Sequence, residues 1–290
     1  LEQVRGDWIL ILDADEVLTS QGRKGLKHDT QQTDFLGCRV RCTNMEPSDN
    51  GGYQPMADAW HFIPRLTRNA PGLHFVGTIH EQIFSSVQIR AEEWGMEGDF
   101  GETEIEHYGY SEEIKKSRNK TERNISLIEK ALEKTPHEPT LLMSYSLDLF
   151  NRGEIELALE KLRESFDLVK EYPANSLAPE VRERLIGVYL NLLLQAEMYD
   201  ELIEVANSQL AKDCGPTSSI LFMHALALVK SGRSAEAIEP LQECIAKRND
   251  RTYTSPFKGA TGTLTLQLLP PLQLNVQPAP AEGDVRWDGI

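Results

Sequence analysis

Apolar positions fall in two textures along the chain, short strand-like runs first and helical spacings later. Trp8-Ile9-Leu10-Ile11-Leu12 is a continuous apolar run of strand length. That pattern predicts a strand buried on both faces, as in a parallel α/β sheet. Leu36, Cys38, Val40 and Cys42 alternate with Gly37, Arg39, Arg41 and Thr43, which predicts a strand with one inward face. Residues 60–66 and 75–83 read as further strands, and 87–90 as a short one. Residues 17–33, with Gly22 and Gly25, read as a loop with a short helix, and 44–57 as a turn-rich connection. Residues 91–104 are acidic and glycine-rich with Trp94 and Phe100 interleaved, and read as a solvated loop.

From Ser111 the period changes. Ser111 is a capping residue with Glu112 and Glu113 in the first turn. Ile114, Thr121, Ile125, Ile128 and Leu132 then share one helical face, and Pro136 and Pro139 end it. Leu142, Tyr145, Leu149, Gly153, Ala158, Leu162 and Phe166 have tetratricopeptide spacing, and Leu221, Ala225, Leu228, Gly232, Ala237, Leu241 and Ile245 repeat it. Residues 179–197 and 199–210 form a weaker pair between them, which brackets the ~34-residue period of such repeats. A single repeat cannot bury its own apolar face, so about three stacked units are expected, with a groove able to take a peptide. After Asp250 the pattern fades into a segment broken by Pro270 and Pro271. The predicted organisation is an α/β domain over 1–111, a connecting helix over 112–136, helical repeats over 137–250 and an irregular tail over 251–290.

Composition changes this picture little: 290 residues, 40% hydrophobic and 26% charged, are those of an ordinary globular chain of about two domains. The net charge of −15 argues against nucleic acid and anionic membranes as partners. No apolar run approaches the ~18–20 residues of a membrane span. Cys38 and Cys42 lie on one strand on the order of 13 Å apart, too far for a shared zinc or disulfide. With Cys214 and Cys244 they read as buried thiols in a reducing, cytoplasmic setting.

The candidate chemistry follows the first strand. Asp13, Asp15 and Glu16 stand at its carboxyl end, where ligands bind in open α/β sheets. Residues two apart on a strand share a face, and paired carboxylates repel unless a cation lies between them. Oxygen donors of this kind suit Mg²⁺ or Mn²⁺. The alternative is a solvated acidic turn.

Gly6-Asp7-Trp8-Ile9-Leu10-Ile11-Leu12-Asp13-Ala14-Asp15-Glu16-Val17-Leu18 resembles the Asp-x-Asp strand of family 2 glycosyltransferases, which have the GT-A fold. Arg65-Leu66-Thr67-Arg68-Asn69, followed by His74-Phe75-Val76-Gly77-Thr78-Ile79-His80-Glu81, and Ile105-Glu106-His107-Tyr108-Gly109-Tyr110 resemble two later segments of one bacterial branch, in which tetratricopeptide repeats commonly follow. The resemblance covers roughly the first 115 residues and implies the C-terminal part of a Rossmann-like GT-A domain, joined to an all-α solenoid. It further implies a nucleotide half of roughly 80–100 residues ahead of Leu1. By resemblance, Asp15 and His107 hold Mn²⁺ or Mg²⁺, and Asp13, Glu16, Arg65 and Arg68 contact a nucleotide-sugar donor. Glu81, beside His80, is the base of an inverting transfer to a glycan, lipid or protein acceptor. Two other readings are a non-catalytic tetratricopeptide scaffold with a remnant catalytic half, and a haloacid-dehalogenase-type phosphatase with Asp13 as nucleophile. The phosphatase reading lacks a second downstream Asp after Gly98-Asp99.

Overall fold

The computed structural model describes residues 3–75, 83–108, 118–172, 179–254 and 260. Its first half is a five-stranded sheet in the order β1-β4-β3-β5-β2. The strands are β1 (Trp8–Leu10), β2 (Glu16–Leu18), β3 (Phe35–Pro47), β4 (Tyr53–Arg68) and β5 (Glu97–His107). Only β3 and β5 run parallel; the other three pairings are antiparallel. The expected parallel, Rossmann-like arrangement is therefore not what the described residues form. β1 is three residues long, half-buried, and lies at one edge of the sheet rather than in its centre.

β1 and β2 follow one another in the chain yet occupy opposite sheet edges. In a flat sheet four strand spacings would separate them by roughly 19 Å. Residues 11–15 contain a turn, closed by the Glu16 N–H donating to the Asp13 carbonyl at 3.0 Å, and cannot span that distance. The sheet is curled into an open half-barrel, and its two edges approach each other at the acidic turn.

Helix α1 (Ser20–Asp29) lies in the 17–33 stretch that was expected to be a loop with a short helix, and fills most of it. Thr19 caps it by accepting from the Gly22 N–H. Gly22 and Gly25, three apart on one face, sit against the backbone of β5, where a Cβ would collide with the carbonyls of Glu104 and Glu102. Asp29, fully buried at the helix end, accepts from the Glu102 and Thr103 N–H groups and the Thr103 hydroxyl. That docking makes the acidic stretch 97–107 a strand instead of a loop. Helix α2 (Phe84–Trp94) replaces the short strand expected over 87–90. Phe84, Val87 and Ala91, at helical spacing, pack with Leu36, Leu73 and Ile83.

Helix α3 (Arg118–Leu132) leads into hairpins made by α4 (Pro139–Arg152), α5 (Ile155–Lys170), α6 (Pro179–Gln195), α7 (Tyr199–Ala206), α8 (Gln209–Cys214), α9 (Ser218–Lys230) and α10 (Ile238–Ala246). The expected Ser111 start of the connecting helix lies outside the described residues. Gly153 ends α4 in the left-handed region at φ 94°, and Gly232 follows α9 at φ 76°, as predicted for the turns of the two clearer repeats. One continuous core runs from Leu149 through Leu162, Ile186, Leu190 and Phe222 to Leu241.

The two halves meet across a sealed junction. Arg39, on the supposed outward face of β3, has a side chain only 3% exposed and pairs with Glu180 of α6 at 2.9 Å. Its guanidinium lies 3.9 Å from the Phe84 ring, 4.5 Å from Tyr253 and 5.7 Å from Phe100. Residues 251–254 are wedged between sheet and solenoid. The Thr252 carbonyl accepts from the Phe62 N–H, and the Glu183 carboxylate of α6 accepts from the Tyr253 and Thr254 N–H groups and the Thr254 hydroxyl. The start of the expected irregular tail is thus part of the core contact.

Removing one member of a buried pair strands the other charge. Arg39→Ala is therefore expected to lower unfolding free energy by roughly 3–5 kcal/mol in urea denaturation. Arg39→Lys should recover little, because an ammonium cannot lie flat between rings. A loss below about 1 kcal/mol would show that the junction does not depend on the pair.

Candidate functional site

The curled sheet brings residues far apart in sequence to one end of the half-barrel. The Ile11 N–H donates to the Arg65 carbonyl of β4 at 2.8 Å, which steers the chain off β1 toward the turn. The Glu16 carboxylate accepts from the Asp13 N–H at 2.9 Å, closing the turn a second way. Glu16 then enters β2 directly opposite His107 of β5, and the Tyr108 N–H donates to the Asp15 carbonyl.

Arg65 bridges the two outer carboxylates. Its Nη2 donates to Asp13 Oδ2 at 2.5 Å and to Glu16 Oε1 at 2.6 Å. The Glu16 side chain is 3% exposed, whereas Asp13 is 61% exposed. Arg65 therefore serves a buried carboxylate more than a solvated one, and its guanidinium is held above its usual pKa by these partners against the opposing effect of burial. Asp15 is left to a different partner: its carboxylate lies 3.4 Å from His107 Nε2. The other ring nitrogen of His107 lies 3.0 Å from Asn44 Oδ1. The His107 ring is thus held between the Asn44 amide and the Asp15 carboxylate.

His61, on β4 opposite Cys42, completes the inner wall. Burial pushes its pKa down to about 4, reinforced by the charges of His107, Arg184 and Arg65. The Cys42 thiol is pushed up to about 12, chiefly by burial and then by the Glu16 carboxylate, so it is not a nucleophile at neutral pH. Cys38, Cys42, Cys214 and Cys244 all carry thiols rather than disulfides, with only Cys214 partly exposed.

Of the predicted site residues, Asp13, Asp15, Glu16, Arg65 and His107 are brought together. Arg68 is not: its guanidinium donates to the carbonyls of Gln32, Thr33 and Phe35 and lies over the Trp8 ring. It anchors the start of β3. His80 and Glu81 lie outside the described residues. Among the described residues no three His, Cys, Asp or Glu side chains form a metal-binding group. Asn44 and His61 were missed by sequence reasoning. Asn44 stood in an expected loop, and only the period-2 pattern around His61 pointed to a strand.

Comparison with known proteins bears on the helical half. No family model matches the chain. It is 27% identical over 172 residues to a TPR repeat-containing protein of Synechococcus elongatus, over 58% of this chain and 40% of that one. The chain thus spans less than half the length of that relative. Solved structures with some likeness include YrrB, described as a TPR protein with an unusual peptide-binding site (19% identity, TM-score 0.33, 41% of this chain and 56% of that one). Another is a TPR-like protein from Chlorobium tepidum (18% identity, TM-score 0.35, 50% of this chain and 98% of that one). These structural likenesses are too loose to argue from. The helix pairs themselves, with the Synechococcus relative, support tetratricopeptide-type repeats. No helix among the described residues is long and apolar enough to cross a membrane.

His61 generates a pH prediction. Its folded pKa, about 4, lies below the ordinary 6.5, so its neutral form is favoured by folding. Its contribution to stability is fully present above about pH 6.5 and is lost as pH falls toward about 4. The melting temperature should fall through that window, and His61→Gln should flatten the fall. An unchanged slope would place the acid sensitivity elsewhere.

Proposed function

We propose that this chain is a tetratricopeptide-type docking platform fixed rigidly to a sheet that carries a polar site. The observation that carries this reading is the sealed junction. Arg39, Glu180, Glu183 and residues 251–254 join the solenoid to the sheet through buried polar contacts. Whatever docks on the helices is thereby held at a fixed place relative to the acidic turn. The comparisons concern repeat proteins and, taken alone, favour a non-catalytic scaffold. A cytoplasmic setting fits the four thiols.

A second reading gives the platform a catalytic purpose, as part of a metal-dependent, inverting family 2 glycosyltransferase. What favours it is the convergence at one site of Asp13, Asp15 and Glu16 with Arg65 and His107, three segments that the family resemblance had linked. Asp15 and His107 would hold Mn²⁺ or Mg²⁺. Two protein donors suit such an ion when water and donor phosphates supply the remaining oxygens. Bound there, it would stabilise the departing nucleoside diphosphate as a Lewis acid. Arg65 holds Asp13 and Glu16 in place, Asn44 fixes the His107 ring, and Glu81 would take the acceptor hydroxyl proton. The acceptor, a glycan, lipid or protein, would dock on the repeats.

Sugar transfer by the full gene product, measured with a panel of nucleotide sugars and Mn²⁺ or Mg²⁺, separates the readings. The transferase reading expects Asp15→Ala and Glu81→Ala each to lower turnover by about 100-fold or more. Partner capture that survives both substitutions, with no transfer by the wild type, leaves the scaffold.

A further inference from the structure

One face of the sheet ends in an aromatic corner that the proposed function leaves unused. Side chains alternate along β5, so Glu106 and Tyr108 share a face and His107 takes the other. The Tyr108 hydroxyl donates to Glu106 Oε2 at 2.6 Å, as that shared face requires. Tyr53, at the start of β4, brings its ring against Tyr108 with centroids 4.9 Å apart and planes at 82°. Tyr53 is 48% exposed and Tyr108 partly exposed, so ring surface from both reaches solvent. Val17 of β2 stands directly opposite Glu106 and is 50% exposed. Opposed residues of an antiparallel pair share a face at about 5 Å.

Charge distinguishes this corner from its surroundings. Asp13 and Glu16 have Arg65, Asp15 has His107, and Glu104, two residues before Glu106, has Arg41 at 3.5 Å. Glu106 faces no basic side chain among the described residues, and its Oε1 accepts no hydrogen bond from them. Aromatic ring faces are the negative side of the ring quadrupole and attract cations. Two rings near a right angle can offer such surface to one group at once. An unmatched carboxylate beside them, in a chain of net charge −15, adds attraction of the same sign.

The details select among cations. A free carboxylate oxygen calls for an N–H donor, which a quaternary ammonium lacks. The other oxygen is taken by Tyr108, so the bidentate geometry that favours a guanidinium is not open. The exposed Val17 offers apolar surface for a methylene stem. We propose that Tyr53, Tyr108, Glu106 and Val17 form a docking subsite for a lysine side chain presented by a partner protein. The partner rests on the docking reading above. The affinity of the corner for an alkylammonium does not, because a small probe tests it without any partner.

The test is a proton NMR titration of the full chain, at fixed ionic strength, with Nα-acetyl-lysine methylamide, whose charge is the side-chain ammonium alone. Binding on the order of 10 mM is expected, with the largest shifts at the Tyr53 and Tyr108 rings. The norleucine analogue, which lacks the ammonium, should leave those resonances in place. Tyr53→Leu and Glu106→Gln should each weaken binding about fivefold or more. Glu106→Gln keeps the shape and an acceptor for Tyr108, so its effect reads charge and not folding. Tyr108→Phe, which keeps the ring and releases Glu106, should fall between wild type and those variants. The proposal is overturned if the lysine derivative shifts neither ring at roughly 50 mM, or if the norleucine analogue or methyl glucoside shifts them equally. Tighter binding of tetramethylammonium, or wild-type binding by Glu106→Gln, overturns it as well. Failure to capture a partner on the repeats, with the lysine derivative still bound, would count against the docking reading and leave the corner standing.

Discussion

A single buried cation sets much of this architecture. Arg39 points away from the main sheet core, toward α6, and water is excluded around it. An isolated guanidinium there would be prohibitively costly, and three features offset the cost together. Glu180 supplies charge, Phe84 and Tyr253 supply ring faces, and Phe100 stacks on Tyr253 at 5.1 Å to hold that face in place. Each comes from a different element: α6, α2, the 251–254 segment and β5. The sheet, its covering helix and the solenoid therefore share one electrostatic requirement and cannot separate without exposing it.

The same logic orders the polar end of the half-barrel. Arg65 and Glu16 form a second such pair, in which the carboxylate is the nearly buried member. Because Arg65 also holds Asp13, the acidic turn has one geometry, and Asp15 is directed at His107. The polar end of the sheet thus keeps one arrangement of side chains while the junction fixes the solenoid to the sheet.

The repeats were legible because their signal is local. Leu149, Gly153, Ala158 and Leu162 obey helical and turn spacing within one hairpin, and the structure places them as expected. The sheet was harder because its determinants are distant. β5 is acidic and glycine-rich, and it becomes a strand through α1's glycines and Asp29, more than 70 residues away. In α2, Phe84, Val87 and Ala91 carried a helical period that the β-branched Val87 and Ile89 obscured. The apolar run at Trp8 suggested a central parallel strand, yet its continuity cannot distinguish the centre of a sheet from the edge. Arg39 was the least legible: alternation placed it outward, and its ion-pair partner Glu180 stands 141 residues later, with Phe84 and Tyr253 supplying the rings that cover it. In the site, Asp13, Asp15, Glu16, Arg65 and His107 were found through motif residues.

The central claim is that sheet and solenoid form one cooperative body. Differential scanning calorimetry of the full chain tests it most directly. The account predicts a single transition whose calorimetric and van't Hoff enthalpies agree, as for a two-state unit. Two resolved transitions, or a calorimetric enthalpy well above the van't Hoff value, would mean that the halves melt independently and that the Arg39 junction does not hold them together.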